Sequence, residues 1–211
     1  MIIISFLMYI ETKAVICYPR AMKKRIFISI GIPESTKNKL VAFTEEISNS
    51  FNTFNDFCPI KWTWKDNLHV TLFFLGEIEV EEIPSIFNIV EEIAGRNESF
   101  VMNLNSLSYG PNEKNPKMVW VKGDKTDKLT KLQTDLEKNL LNVREPDNGF
   151  APHITLGRIT QWEFKKIEPE ERPDIKKDIS MSFNVDSIDV MESELKRSGA
   201  RYTVLKSFAL K

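Results

Sequence analysis

The sequence contains only two histidines, His69 and His153, and each begins the same short pattern. The pattern reads His-Val-Thr-Leu from His69 and His-Ile-Thr-Leu from His153. A repeat that uses every histidine of the chain indicates a shared function rather than chance. Successive side chains of a strand alternate between its faces, so each histidine and the threonine two positions later, Thr71 or Thr155, point the same way.

Two imidazoles and two hydroxyl groups on facing strands suit the chemistry of a phosphate ester. The hydroxyls can hold non-bridging oxygens, a neutral imidazole can take a proton from water, and a protonated one can donate to the leaving oxygen. An ordinary histidine pKa near 6.5 makes both forms accessible at neutral pH. The alternating aliphatic residues are expected to anchor the motifs on the buried face; they are Val70, Leu72, Ile154 and Leu156.

Other interpretations of these residues are open. A single histidine in a strand is most often structural or exposed, and a single threonine is usually only a good strand former. A zinc site needs an i, i+4 histidine pair or nearby Cys and acidic ligands, which the motifs lack. We therefore expect no metal and no cofactor. A nucleotide- or RNA-binding module without turnover is the alternative from another class, although pure binding does not need two titratable groups.

The sequence around the motifs alternates between predicted strands and predicted helices. Runs rich in β-branched and aromatic residues predict strands over residues 25–32, 68–75, 100–108, 118–122, 153–159, 181–191 and 202–210. Apolar residues at helical spacing predict helices over residues 35–51, 81–96 and 124–141. The last two strands are expected to pair across residues 193–201. No long Pro/Ser/Gly linker divides the chain, so we expect one α+β unit with two similar lobes.

Composition excludes several classes of protein. The chain has 211 residues, a formal net charge of −1, 42% hydrophobic residues and 28% charged residues, as an ordinary globular domain has. A near-neutral charge argues against wrapping of long nucleic-acid duplexes. Two cysteines, Cys17 and Cys58, cannot form a disulfide framework or a cysteine-rich zinc site. They fit a reducing cytoplasm, which is the expected location.

The first 21 residues are interpreted separately. Residues 1–10 are apolar but only half as long as the roughly 20 residues that a membrane-spanning helix needs. They lack a preceding basic region and a following small-residue cleavage site, so they do not resemble a secretory signal. Met22 begins a segment that resembles a natural amino terminus leading directly into a strand, so residues 1–21 are predicted to be a dispensable extension, and residues 22–211 a single domain. Deleting the extension should leave melting temperature and activity nearly unchanged.

The motifs and their flanks resemble the bacterial and archaeal RNA 2′,3′-cyclic phosphodiesterase family, also called 2′-5′ RNA ligases, of the two-histidine phosphoesterase superfamily. The segments that carry the resemblance are residues 25–30, 61–62, 68–76, 116–121, 152–158, 191–195 and 199–202. The resemblance implies a bilobal, pseudo-twofold α+β fold. Its two antiparallel-rich sheets would carry helices on the outside, and both motifs would line a cleft between the lobes.

The resemblance also implies a role for each site residue. His69 would be the general acid that protonates the departing 3′ oxygen, and His153 the general base that activates water. Thr71 and Thr155 would hold phosphate oxygens, and Arg158 would add positive charge. Strict strand alternation turns Arg158 away from His153, so its role requires a bulge or a strand end.

The implied substrate is an RNA end with a 2′,3′-cyclic phosphate, or a small cyclic-phosphate nucleotide, with possible reverse 2′-5′ ligation. The same motifs would serve a 2′-5′-linked oligonucleotide or ADP-ribose 1″,2″-cyclic phosphate, because they contact only the phosphate. We expect a monomer without a membrane partner. Trp62, Trp64 and Tyr109 could stack on bases, but packing is their more common role. Trp64 and Lys65 replace a Pro-containing turn expected in the family, so the cleft rim should differ.

Overall fold

The computed structural model describes residues 22–55, 58–140, 149–197 and 199–211. The predicted extension, residues 1–21, lies outside the described residues. The nine strands of the described residues are β1 Lys23–Gly31, β2 Ile60–Trp62, β3 His69–Glu79, β4 Phe100–Gly110, β5 Met118–Gly123, β6 His153–Ile159, β7 Lys177–Val185, β8 Ser187–Lys196 and β9 Gly199–Ala209. The four α-helices of this part of the chain are α1 Glu34–Asn55, α2 Ile83–Gly95, α3 Asp127–Leu140 and α4 Gln161–Phe164.

The strands form two antiparallel halves that meet at one point. One half has the order β7-β4-β5-β6 and the other the order β3-β1-β8-β9. Val70 of β3 and Ile154 of β6 are the residue pair that joins them. Beyond that point, β2 takes over as the partner of β6, with Trp62 opposite Gly157. The predicted bilobal α+β fold is confirmed, and its two sheets are continuous through this single contact.

The order of elements repeats between the halves. In one half, β1 is followed by α1 and, after β2, by β3, which pairs with β1 in antiparallel orientation. In the other half, β5 is followed by α3 and then by β6, which pairs with β5 in the same way. Each unit ends in the strand that begins with a motif histidine. The central position of β3 and β6 in the sheet order therefore brings both motifs to the junction between the halves.

The long helices cover the sheet with the apolar faces that their sequences predict. Leu40, Ile47 and Phe51 of α1 are buried, as are the four leucines of α3, Leu129, Leu132, Leu136 and Leu140. Each helix contacts the opposite half: α1 lies against β6, and α3 lies against β3. The core is thus shared between the two halves. No helix among the described residues is long and apolar enough to cross a membrane.

The prediction of a single strand over residues 181–191 is wrong. The segment belongs to two strands that separate at Asp186, where β7 leaves β4 and β8 begins to pair with β1 and β9. Both parts have the alternating pattern of a strand, so the pattern does not mark the change of partner. The predicted connection over residues 193–201 is also mostly strand, because pairing continues to Lys196 and Gly199.

Candidate active site

The two motifs lie side by side at the junction of the halves. Val70 and Ile154 are fully buried, and Leu72 and Leu156 are buried as well, which confirms the predicted anchoring face. The histidines and threonines alternate with these residues and therefore face the other side. Antiparallel pairing at the junction places each histidine beside the threonine of the other motif. All four side chains line one groove and are half-buried.

A backbone carbonyl group fixes each imidazole. Nδ1 of His69 lies 2.7 Å from the carbonyl oxygen of Asn67, and Nδ1 of His153 lies 2.8 Å from that of Ala151. A carbonyl oxygen only accepts hydrogen bonds, so Nδ1 carries the proton in both neutral rings. Nε2 is then the atom that can take up a proton from a ligand, as a general base requires.

The two threonine hydroxyls have partners that a phosphate oxygen could replace. Oγ1 of Thr71 lies 3.0 Å from Nε2 of His69. Oγ1 of Thr155 donates to the sulfur of Met118 at 3.7 Å, and a thioether is a weak acceptor. An anionic oxygen in the groove would be a stronger acceptor for either hydroxyl.

Aromatic rings pack against both imidazoles. Phe27 and Tyr202 contact His69 with ring centroids 5.0 and 5.2 Å away, and Trp120 contacts His153 at 5.0 Å. These rings limit rotation of the imidazoles and so fix the direction of Nε2. Sequence reasoning did not assign these supporting contacts.

A bulge brings Arg158 to the same groove as His153. Val119 pairs with Gly157 and Trp120 pairs with Thr155, so Leu156 is an extra residue in β6. The extra residue shifts the alternation by one position, and the exposed Arg158 side chain lines the groove. This is the irregularity that a phosphate-contacting Arg158 requires.

The first motif has an equivalent bulge and places Phe74 in the corresponding position. Ser29 pairs with Thr71 and Ile28 pairs with Phe73, so Leu72 is the extra residue in β3. Phe74 is 42% exposed and lines the groove. It follows His69 by five residues, as Arg158 follows His153. Comparing the residues that lie five positions after each histidine would have identified Phe74 from the sequence.

The three aromatic residues named as possible base contacts have different surroundings. Trp62 packs against the core. The hydroxyl of Tyr109 donates to the carbonyl of Pro173 at 3.1 Å, at a different cavity from the groove. Trp64 is 68% exposed and lies on the surface next to the groove. Asn67 and Tyr202 also line the groove, and the sequence did not single them out as site residues.

Burial lowers the pKa of His69 below its ordinary value of 6.5, and the charge of a protonated His153 lowers it further. The hydrogen bond to the carbonyl of Asn67 acts in the opposite direction, because it stabilises the protonated ring. Protonation of one imidazole therefore disfavours protonation of the other.

Within the described part of the chain, no three His, Cys, Asp or Glu side chains cluster as metal ligands would.

Comparison with known proteins identifies the family. The protein-family model described as LigT-like phosphoesterase matches this sequence twice, over residues 30–120 and over residues 121–202. The first match contains His69 and the second His153, in agreement with the repeat seen in the fold. The chain belongs to the LigT-like phosphoesterase family.

Members of this family and their structures resemble the chain over most of its length. The RNA 2′,3′-cyclic phosphodiesterase of Thermus thermophilus is 31% identical over 195 residues, covering 89% of this chain and 90% of the relative. That of Methanocaldococcus jannaschii is 27% identical over 186 residues, covering 87% of this chain and 99% of the relative. The crystal structure of TT0787 from Thermus thermophilus superposes with a TM-score of 0.72 at 27% identity, covering 88% of this chain and 97% of the other. Escherichia coli LigT in complex with 3′-AMP has the same fold, with a TM-score of 0.68 at 22% identity, and covers 90% of this chain and 99% of the other.

Proposed function

We propose that this protein hydrolyses RNA ends that carry a 2′,3′-cyclic phosphate, leaving a 2′-phosphomonoester. The observation that carries the proposal is the pair of carbonyl-anchored histidines beside two threonines and Arg158 in one groove. Relatives that match most of the chain are named RNA 2′,3′-cyclic phosphodiesterases, which supports the same activity here. We expect the protein to act in the cytoplasm as a monomer.

The proposed reaction uses one imidazole in each protonation state. Nε2 of His153 takes a proton from a water molecule as the water oxygen attacks phosphorus. The bond from phosphorus to the 3′ oxygen breaks, and protonated His69 gives its Nε2 proton to that oxygen. The phosphate stays on the 2′ oxygen, and the pair of histidines ends with its protonation states exchanged.

The neighbouring groups stabilise charge on phosphate during this step. The hydroxyls of Thr71 and Thr155 donate to non-bridging oxygens, and the guanidinium of Arg158 offsets their negative charge. A bound phosphodiester anion also raises the pKa of His69, because an opposite charge favours the protonated ring. Substrate binding thereby favours uptake from solvent of the proton that the His69 imidazole of the free enzyme holds weakly.

Phe74 and Tyr202 provide the apolar part of the groove. Both rings line it together with the catalytic motifs, and Phe74 is 42% exposed. We propose that they contact the ribose and base of the terminal nucleotide, since every base has a face that can stack on an aromatic ring.

The proposed function is tested with a panel of cyclic phosphates followed by phosphorus NMR. The panel contains a 2′,3′-cyclic mononucleotide, RNA oligonucleotides with a 2′,3′-cyclic phosphate end, and 2′-5′-linked oligoadenylates. We expect 2′-phosphate products in the presence of excess EDTA. His69→Ala and His153→Ala should each reduce kcat by about 100- to 10,000-fold, the range for loss of a general acid or base.

Threonine variants provide a graded comparison and a control. Thr71→Ala and Thr155→Ala should each cost about 10- to 1000-fold, because each removes one donor to the developing charge. Thr203→Ala, at an exposed position of β9, should have no effect. Near-wild-type turnover in either histidine variant would overturn the two-histidine mechanism. Turnover of the 2′-5′ oligoadenylates alone would redirect the activity to that substrate class.

A further inference from the structure

A second recess adjoins the catalytic groove at its rim. It lies between the turn over residues 65–67 and the hairpin of β8 and β9, and we call it the Trp64 surface. The residues that define it here are Trp64, Asn67, Lys196, Arg201 and Tyr202. The proposed reaction uses none of these side chains to move a proton.

The Trp64 surface is continuous with the groove. Asn67 and Tyr202 line both, and they separate the exposed indole from the catalytic histidines. Nδ2 of Asn67 donates to the carbonyl oxygen of Ala200 at 2.7 Å, so a direct hydrogen bond joins the turn to the hairpin. A chain that leaves the groove past Tyr202 therefore enters a preformed surface.

The exposed indole of Trp64 is the main apolar feature of this surface. The side chain is 68% exposed, an unusual position for the largest apolar side chain. Its Nε1 lies 3.6 Å from the point that a β-carbon would occupy at Gly199. The indole thus lies close to the hairpin backbone while most of its area remains open to a ligand.

Two cations and one carboxylate line the recess beside this indole. Lys196 and Arg201 line the recess against one carboxylate, that of Asp66, and the neighbouring Arg197 is exposed. Lys196 also contacts Glu194 at 3.1 Å, a surface pair that water and salt screen. Basic side chains that alternate with an exposed aromatic ring are the combination that binds single-stranded nucleic acid.

We propose that the Trp64 surface binds the RNA strand on the 5′ side of the terminal cyclic phosphate, with a base stacked on Trp64 and phosphates near Lys196 and Arg201. This inference rests on the proposed function, because that function places the RNA end in the groove. Tyr202 lies three positions after Gly199 in β9, roughly 10 Å at about 3.3 Å per residue. At about 3.4 Å per stacked nucleotide, the indole should meet the strand about three nucleotides from the cyclic phosphate.

The test compares substrates of increasing length. Wild type and Trp64→Ala are assayed on a 2′,3′-cyclic mononucleotide and on oligonucleotides of two to eight nucleotides with a 2′,3′-cyclic phosphate end. Trp64→Ala should lower kcat/KM by about 5- to 100-fold for substrates longer than about three nucleotides, the range for one lost base–aromatic stack. The mononucleotide should be hydrolysed at the wild-type rate, and Trp64→Phe should retain most of the activity on long substrates.

Two matched controls separate the surface from general effects. Trp162→Ala removes another exposed indole, 62% exposed and in contact with Lys166, and should change neither substrate class. Arg201→Gln should reduce the dependence of log Kd on log salt by about 0.7 for a long oligonucleotide. Lys206→Gln on the same strand should not, since Lys206 lies against Phe87 and Phe208 on the helix-covered side.

Binding of an oligonucleotide that ends in a 2′-phosphate is measured in parallel by fluorescence anisotropy. An equal loss of kcat/KM on the mononucleotide and the long oligonucleotide in Trp64→Ala, or no loss on either, would overturn the proposed strand-binding surface without contradicting the proposed function. Absence of hydrolysis by wild type, with binding that still depends on Trp64, would overturn the proposed function and keep the surface.

Discussion

At the scale of single residues, the site depends on how two histidines are held. Carbonyl oxygens of Asn67 and Ala151 set the same tautomer in both rings, although the two rings have different surroundings. His69 packs between Phe27 and Tyr202, and burial is the main reason for its lowered pKa. The free enzyme therefore holds His69 mostly neutral at neutral pH, and the proposed reaction requires that the substrate's phosphate favour its protonation.

This environment predicts the titration of His69. Its NMR titration midpoint in the free enzyme should lie below 6.5, because burial and the charge of His153 both disfavour the imidazolium. His153→Asn should raise that midpoint, since it removes the neighbouring charge. A midpoint at or above 6.5 in wild type would contradict the role assigned to burial.

The same pKa has a consequence for stability. The unfolded chain binds a proton at His69 near pH 6.5, whereas the folded protein binds it only at lower pH, so the free energy of unfolding rises with pH between these two values. Stability should therefore fall as pH decreases below 6.5 toward the folded pKa. Urea unfolding of wild type and His69→Asn at several pH values would measure this, and the variant should lose that part of the decrease.

At the scale of elements, two strand bulges determine which side chains reach the groove. Both occur three residues after a motif histidine, at Leu72 in β3 and at Leu156 in β6. They turn the side chains of Phe74 and Arg158 toward the groove. Equivalent positions of the two repeats therefore contribute an apolar side chain and a cationic side chain to its walls. A regular strand would turn both side chains to the face that packs on the core.

The second bulge leaves little room at Gly157, where β2 lies close to β6. A β-carbon there would approach Cγ2 of Ile60 to 2.6 Å and Cε3 of Trp62 to 2.8 Å. Gly157→Ala should destabilise the protein by about 1–3 kcal/mol, the usual cost of inserting a methyl group into a packed site. Urea unfolding measures this loss. The substitution should also lower kcat/KM by moving Arg158, measured at a temperature where the variant is fully folded.

Gly95 at the end of α2 supplies the matched control for this substitution. A β-carbon at Gly95 meets no atom within 4 Å, so Gly95→Ala should be neutral or stabilise the protein by about 0.4–1 kcal/mol. Equal stability of Gly157→Ala and wild type would mean that β2 can move away from β6 at no cost, contrary to the close packing described.

At the scale of the whole molecule, the two halves are built into each other. The sheet joins through Val70 and Ile154, while α1 and α3 each cover a strand of the opposite half. Neither half retains a complete core without the other, because each would expose the strand that its partner's helix covers. The groove that both histidines line is formed at this shared junction, so its geometry depends on both halves.

We therefore predict one cooperative unfolding unit. Amide hydrogens in the inner strands β1 and β5, one from each half, should exchange with the same free energy of opening. Leu136→Ala in α3, at a fully buried position, should lower both by about 2–5 kcal/mol. Val204→Ala, at a 51% exposed position, should lower neither. A fall confined to one half would show that the halves unfold separately.

The sequence by itself determined the local parts of this protein. Strand alternation placed His69 and Thr71 on one face and Val70 on the other, and helical spacing identified the buried leucines of α3. These properties depend on residues close along the chain, so the pattern contains them. The histidine repeat likewise indicated two equivalent units, and the doubled family match agrees with it.

Only the tertiary structure decided the relations between distant segments. The break at Asp186, the bulge that turns Arg158 into the groove, and the position of Trp64 beside the β8–β9 hairpin all depend on which strands pair. A strand with continuous alternation has the same pattern whether it keeps one partner or changes it. The placement of the motif residues on one face could therefore be predicted from the sequence, whereas the walls and rim of the groove were set by pairing between segments far apart along the chain.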